Sequence, residues 1–177
     1  MREDKYYFFD IIARYVILFI TGILNNAVFY LLFTSLTISA VYFSLGLFFD
    51  ASLVENIILI NKLPIEIIGS CVAGSAYFLL LILNLSTRGI GLKKRLGMLL
   101  FSFVSLFIIN VLRIFLLSIM FISGQPLFDI SHRLFWYAGS TIFVVGIWFL
   151  SVKLFKVKEI PFYSDIKSLL KKSKIKN

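Results

Sequence analysis

The sequence predicts an all-α integral membrane protein of about five transmembrane helices, with a short extended or hairpin segment over about residues 56–69 on the outer side. Three observations predict it. Hydrophobic residues make up 60% of the 177, and the mean hydropathy is +0.97, where soluble domains run at roughly 45–50% apolar. From Tyr15 to Phe49 the chain carries no charge over 35 residues, more than the ~20 that one membrane-crossing helix needs. Finally, the net charge of +9 is held in blocks beside apolar runs, the pattern of cytoplasmic loops.

Taken in order, residues 1–10 mix charges with Tyr6, Tyr7, Phe8 and Phe9, which reads as an interfacial belt. The first apolar run is long enough to span and lacks a clear small-residue cleavage site, so it is not read as a removable signal peptide. The uncharged run that follows admits two helices with a turn near Thr34–Thr37, or one span and a short tilted helix. Charges return at Asp50, Glu55, Lys62 and Glu66 around two β-rich runs, Ile57–Ile60 and Ile65–Ile68. Asn61-Lys62 between them reads as a hairpin turn. Cys71 to Leu85 is the next apolar run, and Gly89-Ile90-Gly91 reads as a turn after it. A long span from Gly97 to Ile122 stops at Ser123-Gly124-Gln125-Pro126. The last span opens at Asp129–His132 and runs to about Val152. Residues 1–155 thus form a multi-span membrane domain and 156–177 a basic cytoplasmic tail, with Ile166, Leu169 and Leu170 giving the tail a weak amphipathic pattern.

Eight of the eighteen basic residues lie from Lys153 onward, and four between Arg88 and Arg95. They assign the tail and the Arg88–Arg95 loop to the cytoplasm. Cys71, the Ser123–Ser131 loop and His132 then meet the outer face. No basic stripe shares a face with stacking aromatics, which argues against a nucleic-acid partner. The lone cysteine excludes an intrachain disulfide, and no Cys/His cluster suggests a metal site.

Arg113 carries the sharpest functional signal. It lies inside an otherwise uncharged span, where an arginine costs about 2.5–3.5 kcal/mol on insertion scales. Asn110, three residues earlier, shares its helix face. Cys71 and His132 are the only thiol and the only imidazole. A thiol, an imidazole and a guanidinium at one depth are the parts of acyl transfer: nucleophile, proton carrier and oxyanion holder. A neighbouring cation also favours a thiolate.

The order Cys71, Asn110-Val111-Leu112-Arg113, His132 on successive runs resembles the exosortase/archaeosortase family of prokaryotic membrane cysteine transpeptidases. The resemblance covers roughly Ile57 to Lys153. It includes the lead-in Glu66-Ile67-Ile68-Gly69-Ser70-Cys71 and Arg95 with Gly97 at the start of the long span. In the family, glycine commonly follows a small polar residue directly after the cysteine. Here the order is Val72-Ala73-Gly74, and Gly139 also falls later than the family's pattern after the histidine. The resemblance implies Cys71, Arg113 and His132 as catalytic residues, with Asn110 and Arg95 supporting. It implies no cofactor, exported protein substrates bearing a C-terminal tripartite signal, and a membrane lipid as acceptor. It also implies a multi-pass protein of a prokaryotic cell membrane, with its active site facing outward and its C-terminus in the cytoplasm.

Two other readings stand beside this one. A small-solute transport component would bind its ligand through Arg113 and Asn110 and would not need Cys71. A scaffold protein with no site leaves Arg113 unexplained. Glu66 and Asp129 could orient His132 or bind substrate, but read more simply, with Glu55, as solvated loop charges; Arg133 reads as a lipid-phosphate contact. Phe135, Trp136 and Tyr137 could line a substrate groove, and an interfacial aromatic belt explains them more simply. Gly74 and Ser75 read as helix-packing residues, and Ser118 and Ser140 receive no role.

Overall fold

A computed structural model describes residues 2–24, 27–87, 90–135 and 139–157, with the backbone alone for 2–10. The element order is α1 (Arg2–Ile23), α2 (Ala27–Gly46), β1 (Ala51–Val54), β2 (Ile57–Ile60), β3 (Leu63–Glu66), α3 (Gly69–Val72), α4 (Gly74–Leu85), α5 (Leu92–Ile122), α6 (Phe128–Leu134) and α7 (Ser140–Leu154).

The expectation of an all-α protein with about five transmembrane helices is overturned. Among the described residues, two helices are long and apolar enough to cross a membrane, Ala27–Gly46 and Leu92–Ile122. Ile11–Ile23, Gly69–Leu85 and Ser140–Leu154 are apolar but shorter. Ser140–Leu154 has 15 residues, fewer than the ~20 that a crossing needs. Gly69–Leu85 is short as well, and it is kinked at Ala73, whose φ of 61° and ψ of 36° are left-handed.

The chain between α2 and α3 is a three-stranded antiparallel sheet in the order β1-β2-β3, one strand more than the expected hairpin. Both of its turns have two residues. The second is Asn61-Lys62, with φ of 50° and 69°, the left-handed pair that matches the twist of the flanking strands. Ile58 and Ile60 on β2 are fully buried. They pack with Val41 and Leu45 of α2, Ile67 and Ile114 of α5.

Thr34–Thr37 lies inside α2 and makes no turn. The Thr34 hydroxyl donates to the Tyr30 carbonyl at 2.6 Å, so the helix satisfies the polar group that suggested a turn. The long helix α5 ends as expected at Ser123-Gly124. Gly124 has φ +62°, Gly124 N–H donates to Phe121 O at 3.1 Å, and Gln125 N–H to Met120 O at 3.0 Å. This pairing is a Schellman cap.

The helical core is aromatic. Tyr77 of α4 is fully buried, stacks on Phe33 of α2 at 3.9 Å and meets Phe103 of α5 edge-on at 5.5 Å. Val144 and Ile147 of α7 close this cluster. The exterior is apolar as well: Leu31 is 84% and Leu100 68% exposed, while Arg14, Arg95 and Asn110 are at most 5% exposed. The expected domain boundary at residue 155 falls just after α7. Nearly all of the expected tail, including Ile166, Leu169 and Leu170, lies outside the described residues, as do Arg88 and Gly89.

Candidate active site

Cys71 sits on α3, a single helical turn between the sheet and α4. Its N–H donates to the Ile68 carbonyl at 2.8 Å. Two residues later the backbone turns left-handed at Ala73. A non-glycine residue pays about 1–2 kcal/mol for this conformation, so the surrounding packing holds the break in place. Gly74 then begins α4 beneath the ring of Tyr30. A Cβ on Gly74 would lie 2.7 Å from Tyr30 Cζ, so only glycine fits without displacing that ring.

Asn110 and Arg113 approach from α5, on one face as their spacing requires. Asn110 Nδ2 donates to the Cys71 carbonyl at 2.8 Å. Arg113 Nη2 donates to the same oxygen at 3.3 Å. Arg113 Nε is buried and has no hydrogen-bond partner among the described residues. His132 comes from α6, its imidazole stacked on Phe128 with centroids 5.7 Å apart and planes 3° from parallel.

Cys71, Arg113 and His132 line one cavity of about 600 Å3. That volume lies within the range of roughly 300–1,000 Å3 typical of ligand sites. The structure therefore brings together the three candidate catalytic residues from α3, α5 and α6. Asn110 stands behind Cys71 and does not line the cavity.

Arg95 is not part of this site. It is 5% exposed and donates to the carbonyls of Asn84 at 2.7 Å, Leu85 at 3.1 Å, Thr87 at 3.0 Å and Ile90 at 3.4 Å. Arg14 of α1 joins it on Leu85 O at 2.9 Å and Thr87 O at 3.3 Å. Two guanidinium groups thus cap the C-terminus of α4, where carbonyls lack helical partners and the dipole favours cations. The structure thus places Arg95, expected as a supporting residue, at the end of α4 and away from the cavity wall.

Glu66 and Phe135 line the cavity, as the less simple of their two expected readings requires, and so do Ser118 and Ser140, which the sequence gave no role. Glu66 accepts a hydrogen bond from Asn56 at 3.2 Å, and Ser118 donates to the Ile114 carbonyl at 2.8 Å. Asp129 and Arg133 are exposed and lie outside the cavity wall. Trp136 and Tyr137 lie outside the described residues. Tyr30 is a lining residue that sequence reasoning missed. It lies within the uncharged run before residue 49, where nothing separates a cavity tyrosine from a lipid-facing one. No family model, curated protein or solved structure matches this chain.

Proposed function

We propose that the chain is a membrane cysteine transpeptidase of the exosortase/archaeosortase kind. It cleaves C-terminal sorting signals of exported proteins and passes the new carboxyl end to a membrane lipid. The observation that carries this reading is the convergence of Cys71, Arg113 and His132 on one cavity, with Arg113 bonded to the backbone of Cys71. A solute-transport role needs Asn110 as a ligand donor. Its amide is instead committed to the Cys71 carbonyl and is absent from the cavity wall.

The chemistry follows from the parts. The Cys71 thiolate attacks the scissile carbonyl carbon, and the electron pair moves to oxygen. Arg113, which lines the cavity, holds that oxyanion with guanidinium N–H groups not spent on Cys71. Collapse expels the amine of the downstream segment, which takes a proton from His132, and leaves a thioester on Cys71. A lipid nucleophile attacks the thioester and gives its proton to His132. The thiolate leaves, and the product is the substrate joined to lipid.

A prokaryotic cell membrane is the setting that suits the surface. Outward-facing Leu31 and Leu100 find their solvent in lipid, and buried Arg14, Arg95 and Asn110 avoid it. In this reading the cavity faces outward, and the basic C-terminus is cytoplasmic. The test is cleavage in membranes of a tail-signal protein encoded by the same genome. Wild type shortens the substrate, and Cys71→Ala leaves it at full length. Equal processing by Cys71→Ala overturns the cysteine mechanism.

A further inference from the structure

The sheet has an open edge that leads to Cys71. β3 pairs with β2 alone among the described residues, and Pro64, Ile65, Glu66, Ile67 and Ile68 all line the cavity. The register decides which backbone groups this edge presents. The pairs Ile60↔Leu63 and Ile58↔Ile65 alternate with Leu59↔Pro64 and Ile57↔Glu66. Ile60↔Leu63 closes a two-residue turn, and Ile67 N–H donates to Asn56 O at 2.9 Å. Both place Leu63, Ile65 and Ile67 in the set that bonds to β2. Pro64, Glu66 and Ile68 therefore turn their backbone groups away from β2. Proline at an outward position costs the ladder nothing, because its missing N–H would have faced away. The edge thus presents the Pro64 carbonyl, both backbone groups of Glu66 and the Ile68 N–H. The chain reaches Cys71 three residues after Ile68.

We infer that this edge is the substrate track: an extended peptide pairs with Pro64–Ile68 as a fourth strand, which delivers its scissile carbonyl to Cys71. The inference rests on the transpeptidase reading above and adds how the peptide is held. Main-chain pairing of this kind supplies affinity without dictating sequence, and pockets for alternate side chains supply selectivity. An extended strand also presents its carbonyls at a fixed repeat, so register on Pro64–Ile68 sets which bond meets the thiolate. The apolar wall and buried guanidinium beyond Cys71 remain for the groups around the cut.

Two measurements on the full chain in proteoliposomes test this. The first uses the substrate of the cleavage assay with one N-methyl group placed at each position in turn around the cut. Strand pairing predicts a loss of tenfold or more at every second position and little loss between. The second compares Glu66→Pro with Glu66→Ala. Both remove the side-chain bond to Asn56, but only proline removes the outward N–H. The preceding Ile65 is already extended, as proline requires. The proline variant is expected to process substrate at least tenfold more slowly than the alanine variant, with alkylation of Cys71 by iodoacetamide equal in the two. A scan without alternation, or equal processing by the two variants, overturns the track and leaves the cysteine mechanism intact. Wild type that cleaves nothing overturns both. If Glu66→Pro does not fold, the N-methyl scan decides alone, since it alters only the substrate.

Discussion

Arg113 Nη2 donates to the backbone carbonyl of Cys71 at 3.3 Å, so the cation of α5 is tied to the main chain of the proposed nucleophile. One guanidinium then does two things: it fixes the turn that carries Cys71, and it keeps further N–H groups for an oxyanion. Lysine offers a single point charge and cannot hold both geometries. Arg113→Lys is expected to lower kcat/KM for substrate cleavage by about 100–1,000-fold, with Cys71 still open to alkylation. Activity within a few-fold of wild type would remove the oxyanion role.

Asn110 is a positioning residue, acting through the Cys71 carbonyl at 2.8 Å. Asn110→Asp keeps the shape and loses the donor, at a cost of about 1–3 kcal/mol for the carbonyl and carboxylate left facing each other. The expected result is a fall in kcat of roughly tenfold or more with KM little changed, and a shifted rate of Cys71 alkylation. A rise in KM alone would point to direct substrate binding instead.

The order of the chemistry-bearing residues was legible in the sequence because each is rare where it stands: a single thiol, a single imidazole, one charge inside a long apolar span. Their convergence required the fold. The place of Arg95 was not legible, because a basic residue before a hydrophobic span looks the same whether it faces headgroups or caps another helix. Only the four carbonyls around it separate the two. The helix count failed for a related reason. Hydropathy reports that a run is apolar, whereas Ile11–Ile23, Gly69–Leu85 and Ser140–Leu154 are apolar but too short for the ~20 residues of a crossing. β2 was visible as the β-branched run Ile57–Ile60, whereas β3 begins two residues before the expected run Ile65–Ile68 and ends at Glu66. β1, Ala51–Val54, has less β-branched character and shows itself only through its pairing with β2.

Arg95→Ala is expected to destabilise the fold by about 2–4 kcal/mol, since the buried carbonyls at the end of α4 lose charged donors and Arg14 replaces only some of them. Thermal unfolding of the full chain in detergent would read this as a Tm lower by roughly 5–15 °C. The protein that remains folded should cleave substrate with near wild-type kcat. A selective loss of kcat at unchanged Tm would return Arg95 to the active site.

Ala73 stores strain that glycine would release. Ala73→Gly is expected to raise stability by about 0.5–1 kcal/mol, the left-handed penalty less the entropy that glycine adds to the unfolded chain. Ala73→Val, β-branched at positive φ, should lower it by more than that. Denaturation of the two variants side by side checks the order, and a Val variant as stable as Gly would contradict the observed φ of 61°.

Gly74 and Tyr30 form a pair that links packing to the cavity. A methyl group on Gly74 would approach Tyr30 Cζ to 2.7 Å, Cε1 to 2.9 Å and Cε2 to 3.0 Å, so the ring must move. Tyr30 lines the cavity beside Cys71, and its displacement changes the site. Gly74→Ala alone is expected to cost about 1–3 kcal/mol in stability and to slow cleavage. Tyr30→Ala opens the space, so adding it to Gly74→Ala should recover part of that stability. The double variant should then be more stable than the sum of the single changes predicts, by at least ~0.5 kcal/mol. Strict additivity would mean that the ring does not press on Gly74, and the glycine would then be explained by the left-handed Ala73 before it rather than by Tyr30.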